Sequence, residues 1–319
     1  MIDISIIIPC FNGEKCISKL LDSILFQDLT NVEILIVNDG STDNSLFVIK
    51  KYATKSSAIK IINQENQGVS EARNNGIKNA SGKYIICFDA DDTITDNAIS
   101  FFKKKIISDE NLYAFNYDCS CRKTLHQKSK NYSNRDFLKL FLRREISCGV
   151  YSLLIKKDFL LQENIYYKKN QKFGEDYLYI FSLLEKVKFV NYDDSIIYHY
   201  IVNRLSVSNN NSFNAERINF LIEANNLLNS LNFGKLKINQ CVNFFLADIL
   251  AANLMIYCKS SKKDFDFENR VQSYRKLFFH LFFCKFKYWL RIRFFTILPL
   301  ALCKKILSKN FFNSEAINP

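Results

Sequence analysis

Three carboxylates stand within four residues at Asp89, Asp91 and Asp92, directly after the apolar run Tyr84–Phe88. Such a run is typical of a buried strand, so the acids are expected at its carboxyl end. Carboxylates this close repel one another unless a cation compensates them. Mg²⁺ and Mn²⁺ are commonly held by one or two carboxylates together with phosphate oxygens of a substrate. The spacing therefore predicts a divalent-cation site for a phosphorylated ligand, in preference to a solvated acidic turn.

A fourth acid, Asp39, follows the apolar run Val32–Val37 and precedes the turn residues Gly40 to Asp43. A carboxylate at the end of a nucleotide-binding strand can accept hydrogen bonds from a ribose hydroxyl or a base. The alternative is that these acids cap the next helix, which explains Asp43 well and Asp39 poorly.

Two further polar groups stand at predicted helix starts. Arg73 lies one turn into a helix that follows Asn66-Gln67-Gly68. An arginine there can meet a diphosphate with a bidentate fork, although many surface helices also contain an arginine. Glu175 and Asp176 follow Gly174, where paired acids are equally good capping residues. From the residues alone both interpretations of this pair stay open.

The elements that must position these residues alternate regularly over the first hundred positions. The pattern predicts strands at 4–8, 32–37, 59–62 and 84–88, with helices through 17–25, 46–53 and 70–80. A strand–helix alternation of this kind predicts an α/β fold with a doubly wound, mostly parallel sheet flanked by helices. Ligands of such sheets lie outside the carboxyl ends of the strands, so the polar clusters should converge on one edge.

The remainder of the chain divides less clearly. Strands are predicted at 112–116 and 152–155, and helices at 135–142 and 176–184. Helical character continues from Asn214 to Lys309. The polar run at 209–212 marks a boundary, giving a first domain over 1–212 and a helical C-terminal region over 213–319.

An ordered set of motifs over roughly residues 3–208 resembles the family-2 glycosyltransferases, whose GT-A fold is Rossmann-like. The motifs, in chain order, are SIIIPCFN (5–12), IVNDGSTD (36–43), NQG (66–68), ARN (72–74), Gly76, FDADD (88–92) and GED (174–176). Departures are mild: Cys10 and Phe11 stand where the family often has a small residue and tyrosine.

The resemblance implies a role for each matching residue. Those implied to bind the nucleotide-sugar are Pro9, Phe11, Asp39, Asn66, Arg73, Asp89 and Ala90. Asp89 and Asp91 would form the DxD pair, with Asp91 binding Mn²⁺ or Mg²⁺ on the diphosphate. Asp176 would be the general base, with Glu175 adjacent.

The activity implied is metal-dependent transfer of a sugar, with inversion, from a nucleoside diphosphate sugar to a hydroxyl group. UDP is the expected carrier because it is frequent in the family. The expected acceptor is a glycan or a lipid-linked acceptor in bacterial surface polysaccharide, lipooligosaccharide or capsule synthesis.

Two other functions compete with this interpretation. A non-catalytic protein on the same fold could bind a nucleotide-sugar or a glycan. The run from Asp89 to Thr93 also matches the DxDxT loop of haloacid-dehalogenase-like phosphatases. That match is local, because the motif follows three predicted strands and no later lysine and GDxxxD pair is evident. A nicotinamide-dependent dehydrogenase is disfavoured because GxGxxG is absent after the first strand.

The charge of the 319-residue chain is concentrated near its end. The formal net charge is +12, and the segment from Arg275 to Lys309 holds nine basic residues and no acid, interleaved with phenylalanine, tyrosine and tryptophan. This composition favours an anionic membrane surface as partner, with a structural helical cap as the alternative. Nucleic acid is not expected, because the apolar density exceeds what stacking on bases requires.

The expected location is the cytoplasm, at the inner face of the cytoplasmic membrane. The ten cysteines include no CxxC pair, so reduced thiols are expected. No leader peptide is expected at the N-terminus. A spanning helix is also not expected, because the apolar stretch 294–303 is short and contains Pro299.

Overall fold

The computed structural model describes residues 2–120, 123–202, 217–230, 235–259, 267–269, 271 and 303. The chain forms two compact units. The first contains Met1–Phe141, Glu145–Gln171 and Glu175–Asn203, and the second contains Leu142–Arg144, Lys172–Gly174 and Arg204–Pro319. The boundary predicted at 212 lies outside the described residues, as does the basic aromatic segment 275–309 apart from Cys303.

The strands of the first unit lie in one sheet. Among the described residues they are β1 (Ile4–Cys10), β2 (Val32–Asp39), β3 (Ile59–Gln64), β4 (Tyr84–Cys87), β5 (Thr93–Ile94), β6 (Leu112–Cys119), β7 (Lys130–Ser133), β8 (Leu153–Lys156) and β9 (Phe189–Tyr200). Their order is β3-β2-β1-β4-β8-β6-β9-β5, and β7 pairs with β9.

The helices of the first unit connect these strands. They are α1 (Ile17–Leu25), α2 (Ser45–Ala53), α3 (Val69–Asn79), α4 (Ala98–Lys105), α5 (Asn134–Leu142, whose last residue falls in the second unit), α6 (Lys157–Gln162) and α7 (Glu175–Lys186). Short 3₁₀ turns occupy Ile106–Ser108 and Val150–Ser152. The predicted α/β fold with a helix-flanked sheet is confirmed.

The half of the sheet formed by β3, β2, β1 and β4 is parallel throughout. Every residue of β1 and β2 is buried, because continuous runs of isoleucine, leucine and valine suit a strand covered on both faces. The register pairs Cys10 with Asn38 and Asp39 with Gln64. This alignment brings the ends of the first three strands to one edge of the sheet.

The other half of the sheet is mixed. Strand β8 runs antiparallel to both β4 and β6, whereas β6 and β9 are parallel. The sequence pattern missed three strands, the short β5 and β7 and the twelve-residue β9. The miss is largest at β9. Its polar centre, Asp193-Asp194-Ser195, interrupts the apolar alternation by which strands are recognised, and the β6–β9 register shifts nearby at Phe115 and Asn116.

The second unit contains α8 (Arg217–Ser230) and α9 (Lys235–Lys259), which pack against each other. Within α9, Asn239–Cys258 is long and apolar enough to cross a membrane, with a mean hydropathy of 1.7. The sequence-based expectation of no spanning helix rested on a different stretch, 294–303. Of the most apolar window of Asn239–Cys258, 72% is buried inside the protein. Asp248, in the middle of Asn239–Cys258, forms an ion pair in which its Oδ2 lies 3.7 Å from Nε of Arg144. A buried core helix meets the same length and hydropathy criteria.

One cysteine departs from the expected thiol state. Seven of the described cysteines are free, but Cys119 at the end of β6 is disulfide-bonded. The expectation of reduced thiols is therefore wrong at this position. Closeness in space decides which cysteines can pair.

Helix α3 packs on β1 through Gly76, where an added methyl carbon would lie 2.3 Å from Cγ2 of Ile7. We expect Gly76→Ala to lower the free energy of unfolding by about 1–3 kcal/mol through overpacking, although alanine is the better helix former. Urea denaturation measures the change. Lys78→Ala, at an exposed position of the same helix, is the control and should stay within about 0.5 kcal/mol of the wild type. Equal stability of wild type and Gly76→Ala would contradict this close packing.

Candidate active site

The turn that follows β4, residues 89–92, is called the acidic turn. Its three carboxylates lie in different environments. Asp89 and Asp91 are partly exposed, whereas Asp92 is fully buried. The Asp92 carboxylate accepts a hydrogen bond from the Tyr198 hydroxyl and another from the Ile201 N–H at 2.7 Å. Burial, together with the charge of Asp89, raises the pKa of Asp92 to about 8. The pKa of Asp92 therefore lies above neutrality.

The side chain of Arg73 joins this turn to the start of α7. The guanidinium donates from Nη2 to Asp89 Oδ1 and from Nη1 to Asp176 Oδ1, both at 2.7 Å. Arg73 is only 2% exposed. A buried arginine and two partly exposed carboxylates, which come from three separate segments of the chain, thus form one ion-pair group. The arginine fork that was predicted to bind a diphosphate instead faces two carboxylates of the protein.

Arg73 is held in place by an aromatic stack. The Tyr167 ring lies 5.0 Å from the guanidinium carbon, and it stacks on Tyr179 of α7 at 3.9 Å between ring centroids. The neighbouring Asn74 side chain bonds the Tyr167 backbone twice, accepting from its N–H and donating to its C=O at 2.8 Å each. These contacts fix α3 against α7 and leave the guanidinium little freedom to move.

The two acids at the start of α7 have perturbed pKa values. Burial raises the pKa of Asp176, and the Arg73 guanidinium offsets part of that rise. Burial and the charge of Asp176 raise the pKa of Glu175 to about 7. A carboxylate whose pKa lies near neutrality is suited to accept a proton at neutral pH. This pair can therefore act as a base, which capping alone would not require.

Asp39 organises the loop before α3. Its carboxylate accepts hydrogen bonds from the Gln64 side chain at 2.8 Å and from the N–H groups of Gln67 and Gly68 at 2.9 Å each. Gly68 has a φ of +88°, which glycine adopts without strain. All three bonds come from the protein itself, so the structure gives Asp39 a positioning role at the predicted nucleotide pocket.

The loops after β1 and β2 are bonded to each other. The side-chain oxygen of Asn12 accepts a hydrogen bond from the Thr42 N–H at 2.8 Å. The backbone N–H of Asn12 donates to the Ser41 hydroxyl at 3.0 Å. The Gly13 N–H donates to the Ser45 hydroxyl at 2.7 Å. Between these anchors and β1, the Phe11 side chain is 51% exposed and presents a free aromatic face.

The remaining predicted residues take different positions along the same edge. Pro9 is buried within β1, and Asn66 is exposed in the loop before α3. A methyl carbon added to Gly40, whose φ is +69°, would lie 2.7 Å from the Asn66 backbone nitrogen. Ala90 follows Asp89 and lies close to Gly13, where an added methyl carbon would be 3.9 Å from Cβ of Ala90.

Asp91 is the acid that fits a cation. Among the described residues no lysine or arginine pairs with it, whereas Asp89 has Arg73 and Asp92 has Tyr198. Burial and the charge of Asp89 raise the pKa of Asp91, so a nearby positive charge would stabilise its ionised form. In the described part of the chain no three His, Cys, Asp or Glu side chains form a metal cluster. A cation here would need oxygens from a ligand, as Mg²⁺ and Mn²⁺ sites on phosphates do.

Sequence reasoning found the charged residues of this site and missed its aromatic supports. Tyr167 stands 94 positions after Arg73, and no local pattern marks it. Tyr198 belongs to the unpredicted strand β9. His199, the next residue of β9, contacts Asp118 through Nδ1 at 2.7 Å.

Comparisons with known proteins point to one family. The profile of the family described as Glycosyl transferase family 2 matches residues 5–171, just over half of the chain. Glycosyltransferase GlyA of Streptococcus pneumoniae is 41% identical over 119 residues, covering 35% of this chain and 17% of that protein. Minor teichoic acid biosynthesis protein GgaB of Bacillus subtilis is 28% identical over 269 residues, covering 80% of this chain and 29% of that protein. The chain thus spans less than a third of either relative.

A solved structure shares the fold. S. aureus TarS 1-349, crystallised in complex with UDP-GlcNAc, superposes with a TM-score of 0.69 and 17% identity, covering 97% of this chain and 91% of that one. At this identity the likeness concerns the fold alone.

Asp39→Asn tests the positioning role of Asp39. An amide keeps one acceptor oxygen but turns an N–H₂ group toward a backbone or side-chain donor, so at least one hydrogen bond is lost. We expect the free energy of unfolding to fall by about 1–3 kcal/mol, measured by urea denaturation, with faster proteolysis in the loop 64–68. Asp96→Asn, the same change at an exposed position, should leave both quantities unchanged. A fully stable Asp39→Asn protein would argue against this role.

Proposed function

Because this chain belongs to glycosyl transferase family 2, as its motifs indicated, we propose that it is a metal-dependent, inverting glycosyltransferase acting on a nucleoside diphosphate sugar. The observation that carries the proposal is the buried Arg73, which joins the candidate base Asp176 to the acidic turn at Asp89 by two 2.7 Å bonds. Such a reaction needs a base beside the group that anchors the donor diphosphate.

The proposed donor is a UDP-sugar. The nucleotide would lie at the carboxyl edge of the parallel strands, with its base against the exposed face of Phe11 and beside Pro9. Asp39 would hold the loop containing Asn66 in place for the ribose or base. The S. aureus protein with the same fold was crystallised with UDP-GlcNAc, which supports this choice of nucleotide.

Asp91 is proposed to hold Mn²⁺ or Mg²⁺ together with the donor diphosphate. When bound, such a cation offsets the negative charge that develops on the departing nucleoside diphosphate. Ala90 and the adjacent backbone of the turn would approach the donor closely. Asp89, paired with Arg73, would hold the turn at a fixed position relative to the start of α7.

Asp176 is proposed as the general base. It would accept the proton of the acceptor hydroxyl as that oxygen attacks the sugar from the face opposite the leaving group. Its protonated form cannot act, so the rate should fall as the pH drops below its raised pKa. Glu175, with a pKa of about 7, would contribute negative charge beside it above that pH.

The proposed acceptor is a glycan or a lipid-linked hydroxyl in the assembly of a bacterial surface polysaccharide. The similarity to GgaB, a minor teichoic acid biosynthesis protein, supports this process. Residues 275–309 would keep the enzyme on the anionic inner face of the cytoplasmic membrane, where lipid-linked acceptors are found.

Nucleotide release from a panel of nucleotide sugars, with a glycan or lipid-linked acceptor and either Mn²⁺ or EDTA, tests the activity. We expect turnover with Mn²⁺ and none with EDTA. Asp176→Asn should lower kcat by a factor of about 10²–10⁴, because the acceptor hydroxyl loses its base. UDP affinity, measured by titration calorimetry, should be unchanged.

Asp158→Asn, in the first turn of α6, is a matched control and should keep full activity. Full turnover by Asp176→Asn would remove this residue as the base. Undiminished turnover under EDTA would refute metal dependence. UDP binding without release from any donor would instead favour a non-catalytic binding protein.

The membrane proposal is tested in the full chain by replacing Lys285, Lys287, Arg291 and Arg293 with glutamine. A basic residue near an anionic surface contributes about 1 kcal/mol, so the affinity for vesicles containing phosphatidylglycerol should fall by more than about 100-fold. Vesicle sedimentation measures this affinity.

The matched control replaces four exposed lysines of the first unit with glutamine: Lys19, Lys50, Lys51 and Lys104. This variant has the same net charge and should sediment like the wild type. Equal losses in the two variants would show that overall charge, and not residues 275–309, drives the association.

A further inference from the structure

Asp92 and Tyr198 form a buried hydrogen-bonded pair on the inner side of the acidic turn. Asp92, the last acid of the turn, is 0% exposed, and both of its oxygens are bonded. One accepts from the Tyr198 hydroxyl and the other from the Ile201 N–H. Asp92 therefore points away from any ligand that Asp91 could reach, although the two are adjacent in the chain.

The same Tyr198 hydroxyl also bonds the first residue of the turn. It accepts the Asp89 N–H at 3.2 Å while donating to Asp92. The Asp92 N–H donates to the Asp89 carbonyl at 3.3 Å, which closes the turn a second time. A single hydroxyl thus ties the two ends of the turn together, and Asp91 lies between them.

The Tyr198 ring cannot easily shift. It is fully buried, stacked on Tyr151 at 4.4 Å and 7° and on Phe88 at 5.5 Å and 29°. The backbone adds to this restraint, because Ile94 of β5 pairs with Tyr198 of β9. The hydroxyl is therefore presented to the turn from a rigid part of the sheet.

We infer that Tyr198 and Asp92 are positioning residues that hold the acidic turn in the conformation in which Asp91 can bind a divalent cation on the donor diphosphate. This inference rests on the proposed function. Neither residue touches the donor. They act through the backbone at Asp89 and thereby set the direction of the Asp91 side chain. Groups that orient a metal ligand commonly change metal affinity when removed.

The test is Mn²⁺ binding by the full chain in the presence of UDP, followed by the electron paramagnetic resonance signal of free Mn²⁺. Tyr198→Phe keeps the stacked ring and removes only the hydroxyl. We expect the apparent Kd for Mn²⁺ to rise by about 10- to 100-fold. UDP binding in EDTA should be unchanged, and UDP affinity should return to the wild-type value at saturating Mn²⁺.

Tyr192→Phe is the matched control. Tyr192 lies in the same strand, is 1% exposed, and donates to Asp194 at 2.8 Å, so it makes the same kind of buried bond away from the turn. Its Mn²⁺ affinity should equal that of the wild type. Equal weakening in both tyrosine variants would show general destabilisation and overturn the inference, as would an unchanged Kd in Tyr198→Phe.

Asp92→Asn provides a second variant if Tyr198→Phe does not fold. It retains one acceptor oxygen, so a smaller rise in the Kd for Mn²⁺ is expected, and no rise would contradict the inference. Failure of the proposed function gives a different result: the wild type itself would show no UDP-dependent Mn²⁺ binding. If the wild type binds Mn²⁺ in the presence of UDP and the variants have the same Kd for Mn²⁺, only the positioning role is refuted.

Discussion

One buried guanidinium holds the candidate site together. Arg73 donates to Asp89 and Asp176 from a position that solvent scarcely reaches. An ion pair between a buried arginine and partly exposed carboxylates adds little net stability, because removing the guanidinium from water costs nearly as much as the attraction returns. Its effect here is on geometry. The planar guanidinium of Arg73 donates in two directions and so fixes α3, the acidic turn and the start of α7 relative to one another.

The ion pair also explains how three neighbouring acids coexist. Asp89 has the arginine, Asp92 is buried and accepts hydrogen bonds from Tyr198 and Ile201, and Asp91 is left between them. The repulsion that first suggested a cation is offset at Asp89 by the arginine, whereas at Asp91 the charge of Asp89 still raises the pKa. Two properties of Asp91 favour a cation there: its carboxylate has no cationic partner among the described residues, and its pKa is raised.

The two halves of the sheet contribute differently to the site. The parallel half aligns the ends of β1, β2 and β3, so that Phe11, Asp39 and the loop before α3 share one edge. The mixed half supplies support from behind, because β9 brings Tyr198 to the acidic turn and the segment before α7 brings Tyr167 to Arg73. Aromatic side chains thus form the rigid backing for charged ones. Their packing resists small movements, since interiors are as dense as organic crystals.

Much of this was determined by the sequence alone. The apolar runs and their spacing predicted the parallel strands and α1 to α3, and the charged residues of the site were recognised because they follow those strands directly. The sequence did not reveal β9, whose polar centre hides its alternation, or the bond from Cys119. Nor could it show that Arg73 faces Asp176, 103 positions away, or that Tyr198 closes the turn at Asp89. Local patterns report which residues are buried and where strands end. Which distant side chains meet depends on the register of strands and the packing of helices, and those are settled only when the whole chain is folded.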